Sequence, residues 1–71
     1  MTLVEKIRIV MIRRNGITIN QLAFKMNIPA QTMYNKFKRN NFTEKELLDI
    51  ADALNCDLII NFKMRDNGDI V

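Results

Sequence analysis

The chain has no histidine and no tryptophan, and its 71 residues include one cysteine, one proline, one tyrosine and two glycines. Those scarcities exclude much. With no His and with Cys56 alone, one subunit cannot build a disulfide framework, a zinc finger or a histidine-based catalytic site. Cys56 reads as a small, buried apolar residue, since no basic or metal-ligating neighbour in sequence activates it. No apolar run approaches the roughly 18 residues of a membrane span, and the start MTLVEK lacks the apolar stretch of a secretory leader. The expectation is a cytoplasmic protein that uses no membrane. There is no Gly-rich phosphate loop, internal repeat or low-complexity tract, so no cofactor, metal or small-molecule ligand is expected. Nor is an enzyme, because no carboxylate pair falls where a site would lie.

Acidic residues are also missing, over one long stretch. Between Lys6 and Thr43 stand eight basic residues, Lys6, Arg8, Arg13, Arg14, Lys25, Lys36, Lys38 and Arg39, and no Asp or Glu. From Glu44 to Val71 seven acids face three bases. A charge dipole of this kind turns its positive end toward a polyanion, which points to nucleic acid.

The chain also carries clear punctuation. Thr2 with Glu5, Thr18 with Gln21 and Thr43 with Glu46 are three Thr-x-x-Glu/Gln patterns, each the signature of a capping box at a helix start. Asn15-Gly16, Asn27 and Asn55 fall where a left-handed residue would end the preceding helix. Helix 1, 3–14, aligns Leu3, Val4, Ile7, Val10 and Met11 on one face and leaves Ile9 and Ile12 on the other. Helix 2, 19–26, buries Leu22, Ala23 and Met26, with Ala23 small enough for close helix approach. After the break Asn27-Ile28-Pro29, with Pro29 in the first turn, helix 3 runs over about 30–38 and turns Met33 and Phe37 inward. Arg39 to Phe42 is a polar linker, Phe42 stapling onto helix 4. Helix 4, 44–54, contributes Leu47, Leu48, Ile50, Ala51 and Leu54.

The period then changes. From Asp57 to Arg65 residues alternate, with Leu58, Ile60, Phe62 and Met64 on one face, which predicts a β-strand. Asp66-Asn67-Gly68-Asp69 is a turn, after which Ile70-Val71 can return. No other segment is long enough to pair with the strand. Antiparallel pairing with its copy in a second subunit resolves that, making Leu58, Ile60, Phe62 and Met64 dimerisation residues. A chain this size buries only about 60% of its unfolded surface, so a dimer would also add to a thin core. The expected organisation is a single domain, 1–71, made of a helical bundle at 3–56, a dimerisation strand at 57–65 and a turn and tail at 66–71.

The outer face of helix 3 is polar and free of acids. Gln31 and Asn35, one turn apart, carry the paired donors and acceptors that read base edges in a major groove. Ala30 and Thr32 can meet a thymine methyl, and Tyr34 a base edge or phosphate. Lys36, Lys38 and Arg39 follow as backbone clamps, with Asn20 at the start of helix 2. On these residues the stretch ITINQLAFKMNIPAQTMYNKF resembles the helix-turn-helix of phage-repressor-like regulators, the group of lambda repressor and Cro, called the xenobiotic-response-element type. NKFKRNNFTEKELLDIADALNCDLIINF is similar to the tails of small regulators of that group, so the likeness spans about 3–62. It implies a mainly α, lambda-repressor-like bundle of about four helices plus the C-terminal strand. It also implies that Ala30, Gln31, Tyr34 and Asn35 face bases and that the basic linker contacts phosphates; on the residues themselves, Asn20, Thr32, Lys36, Lys38 and Arg39 are the expected phosphate contacts. Ile19 stands where the group commonly carries a phosphate-binding Gln, and Asn27 where it carries a turn Gly.

The expected function is sequence-specific binding of double-stranded DNA as a homodimer, a repressor acting by steric exclusion at a promoter. The rival is a protein-binding module of the same fold, such as an antirepressor or an inhibitor of a host defence complex. An acid-free, amide-rich recognition face favours DNA over protein.

Overall fold

The computed structural model describes residues 1–71 and holds four α-helices: α1 (Leu3–Arg13), α2 (Ile19–Lys25), α3 (Ala30–Arg39) and α4 (Glu44–Ala53). Their starts follow the threonines. Thr2, Thr18 and Thr43 each accept a hydrogen bond at Oγ1 from the N–H three residues on. At α2 and α4 the box is reciprocal, with the backbone N–H of Thr18 and Thr43 donating to Gln21 Oε1 and Glu46 Oε1 at 2.9 Å. At α1 the expected box is half made, because Glu5 returns no bond to Thr2. Both groups there are exposed, so the missing bond leaves no buried donor without a partner.

Asparagines end the helices. Asn15, Asn27, Asn40 and Asn55 lie just past α1, α2, α3 and α4, with φ of 63°, 57°, 52° and 56°. Asn tolerates this left-handed region better than most side chains, which turns each helix sharply back on its neighbour. Asn40 was not among the predicted stops. It also ties two elements together, since its Oδ1 accepts from the N–H of Val4 at 3.3 Å, in the first turn of α1.

The core is small: Ile7 and Met11 from α1, Ile19, Leu22 and Ala23 from α2, Met33 and Phe37 from α3, and Ile50 and Leu54 at α4. Ile19 is buried, although helix 2 was expected to bury Met26, which is only half-buried. Leu48 is exposed because it lies about 100° around the helix from the half-buried Leu47. Phe37 is held on two sides. Phe42 meets it edge to face with ring centroids 5.6 Å apart, and the Arg8 guanidinium sits 5.2 Å above its ring. Arg14 donates from Nη2 to the carbonyl of Asn55 at 3.0 Å and lies 3.6 Å from Cys56 Sγ, joining the ends of α1 and α4. Cys56 is half-buried rather than buried.

The strand expected over 57–65 is not formed within the single chain. What forms is one antiparallel bridge, Lys63 with Ile70, closing a short hairpin. Phe62 and Val71 exchange both backbone hydrogen bonds at 2.7 and 2.8 Å, and Met64 N–H donates to Asp69 O at 2.8 Å. The turn is made by Asn67, whose Oδ1 accepts from the N–H of Asp69, and by Gly68 at φ 78°. Strand structure needs a partner backbone, and the return segment pairs with residues 62–64 alone. From Asp57 to Asn61 no backbone group has a hydrogen-bond partner in the chain. No helix is long and apolar enough to cross a membrane.

Candidate nucleic-acid interface

The α2–α3 unit is set by a tight turn with its own hydrogen bonds. Asn27 N–H donates to Phe24 O at 3.1 Å and Ile28 N–H to Ala23 O at 3.0 Å, closing α2 before the chain enters α3. Ala23 is almost wholly buried, and its lack of bulk lets α3 cross close over α2. Pro29, predicted inside the first turn of α3, is instead its N-cap, with φ −61° and ψ 139°. Proline has no side-chain acceptor, so α3 is the one helix of the four without a side-chain cap. The N–H groups of Ala30, Gln31 and Thr32 therefore have no partner in the chain. That is the signal the residue type carried: a helix start without Thr, Ser, Asp or Asn leaves donors free for something outside.

Met33 and Phe37 anchor the inner side of α3, which fixes what the outer side shows. Gln31, Thr32, Tyr34, Asn35, Lys38 and Arg39 are exposed, while Ala30 is half-buried against the core. Gln31 and Asn35 are hydrogen-bonded to each other, Nε2 of Gln31 donating to Oδ1 of Asn35 at 3.2 Å. Thr32, Asn35, Lys36 and Arg39 come together with Asn41 around one depression lined by polar and charged residues. Asn20 is not brought into that group. It stands by a second depression, with Arg14, Phe24 and Lys25, on the α2 side.

Lys36 differs from the other cations of α3. Its ammonium forms a salt bridge with Glu46 of α4, across the gap between the two helices. That hydrogen bond, helped by the Thr43 backbone N–H and opposed by desolvation, lowers the Glu46 carboxyl from 4.5 to about 2. Lys36 thus has a partner inside the chain, whereas Lys38 and Arg39 have none. Sequence spacing could not reveal this, since the pair joins separate elements ten residues apart. Phe24 was also missed. It is 86% exposed on the outer face of α2, where helical periodicity gives a core no use for it.

A family model of the Cro/C1-type HTH (helix-turn-helix) DNA-binding domain matches residues 6–59. The chain belongs to this family. Comparisons with curated proteins and with solved structures returned no match. The Cro/C1-type domain takes in all of α2, α3 and α4 and most of α1, and stops short of the hairpin at 62–71. As a DNA-binding domain of this type, the chain presents a helix-turn-helix whose second helix is exposed, cationic at its C-terminal end and open at its N-terminal end.

Proposed function

We propose that this Cro/C1-type domain is a sequence-specific transcriptional regulator, a repressor, that acts as a homodimer by laying α3 in the major groove. The observation that carries the reading is the outer face of α3. It joins two exposed amides, two unpaired cations and three unpartnered backbone N–H groups, with no carboxylate on it. In this reading Ala30, Gln31, Tyr34 and Asn35 meet base edges, and Thr32, Lys38, Arg39 and Asn20 meet phosphates. Lys36 acts through its field while Glu46 holds it. The dimer forms through Leu58, Ile60, Phe62 and Met64. Support for it comes from the unpartnered backbone of 57–61 and from Ile60 and Phe62, which are 54% and 74% exposed. A two-fold dimer places its two recognition helices in successive major grooves, about 34 Å apart.

Selection from a random duplex library at about 150 mM salt tests this, since non-specific phosphate binding is weakened there. A two-fold symmetric motif with half-sites one helical turn apart is the expected result. If no sequence is enriched, the regulator reading is wrong.

A further inference from the structure

We infer that Gln31 and Asn35 read DNA as one coupled unit, in which their mutual hydrogen bond fixes the polarity each amide shows to a base; this rests on the DNA reading of α3 proposed above. A free amide is ambiguous. It can turn either its carbonyl or its NH2 edge outward, and so accepts several bases. Here the ambiguity is removed from both side chains at once, because Gln31 Nε2 donates to Asn35 Oδ1 at 3.2 Å. The two lie one turn apart on an exposed face of α3, backed by the buried Met33, so the pair is carried on a rigid support.

What remains free follows from counting donors and acceptors. Gln31 keeps its Oε1 acceptor and one N–H, the complement of adenine N6–H and N7. Asn35 has one of its oxygen's two lone pairs taken by Gln31 and keeps both N–H donors, the complement of acceptor atoms such as guanine O6 and N7 or thymine O4. Gln31 therefore selects adenine and Asn35 a neighbouring guanine or thymine. Asn35 is also a positioning residue for Gln31. A change at 35 alters the choice of base at the position read by 31.

The test compares sequence preferences of the wild type and three variants by selection from random duplexes, after far-ultraviolet circular dichroism confirms that each exposed substitution leaves the fold intact. Gln31→Ala marks the position that Gln31 reads, as the one whose preference is lost. Asn35→Asp keeps an acceptor for Gln31 Nε2 but replaces the outward donors. It should retain adenine at the Gln31 position and move the neighbour toward cytosine, whose N4 amino group donates. Asn35→Leu removes the acceptor, and should reduce the adenine preference at the Gln31 position by about fivefold or more, although it never meets that base. An unchanged adenine preference in Asn35→Leu would show two independent readers and overturn the coupling. A wild type that enriches no sequence would instead overturn the DNA reading on which the coupling rests.

Discussion

Glu46 does two jobs with one carboxylate: its Oε1 completes the α4 capping box and its Oε2 meets Lys36 of α3. Its pKa is depressed from 4.5 to about 2, chiefly by the Lys36 hydrogen bond, so the stability it confers is complete above about pH 4.5 and is lost as pH falls toward 2. Glu46→Gln keeps an amide that can make the box, as Gln21 does at α2, and loses the ion pair. Thermal melts of the variant should lie below those of the wild type at pH 7 and converge with them near pH 2. Parallel curves across that range would deny the pair a role in stability. Lys38 lacks such a partner, and its charge is free for a phosphate. Lys38→Ala should weaken binding to all duplexes alike and reduce the slope of log affinity against log salt by about one. Fluorescence anisotropy at several salt concentrations measures it, and a variant with the wild-type slope would remove Lys38 from the contact set.

At the scale of elements, helices were legible and their partnerships were not. Threonine hydroxyls and left-handed asparagines act on the backbone within a few residues, so α1 to α4 fall within a residue of their predicted bounds. Asn40 shows where that reasoning stops. In sequence it is one more polar residue of the linker, whereas in the fold it ends α3 and caps α1 across 36 positions. Arg14 was similarly counted with the DNA-facing charge, yet it donates to the carbonyl of Asn55. Lys36 and the Gln31–Asn35 bond are further cases, in which side chains find each other before any ligand. Substitution separates the two roles of Asn40. Asn27→Gly loses only a side chain at a left-handed turn and should be close to neutral. Asn40→Gly also loses the hydrogen bond to Val4 and should cost about 0.5–1.5 kcal/mol in urea unfolding. Equal effects of the two would mean that the α1–α3 tie contributes nothing.

Across the whole molecule the charge dipole and the apolar C-terminal segment were both plain in the sequence, but the strand was inferred from alternation alone. Alternation records which side chains share a face; it does not supply the second backbone that a ladder requires. Within the single chain Asp69 to Val71 close a short hairpin with Phe62 to Met64. On the proposed dimer, Phe62→Asp should leave the four helices intact while shifting the protein from dimer to monomer in sedimentation at micromolar concentration. Affinity for a two-half-site duplex should fall about a hundredfold or more, because simultaneous engagement is lost. A monomeric wild type would refute the dimer outright.

The uncapped start of α3 also gives the protein a reporter of its own occupancy. Ala30, Gln31 and Thr32 hold amide protons that no carbonyl or side chain protects, so in deuterated water they should exchange as fast as those of a loop, although they sit in the first turn of a helix. The amide of Met33, bonded to Pro29 O at 3.2 Å, begins the slower set. A bound phosphate or base edge would slow the first three and leave Met33 nearly unchanged. Exchange rates at those adjacent positions thus time the arrival and departure of a ligand residue by residue, with no label attached.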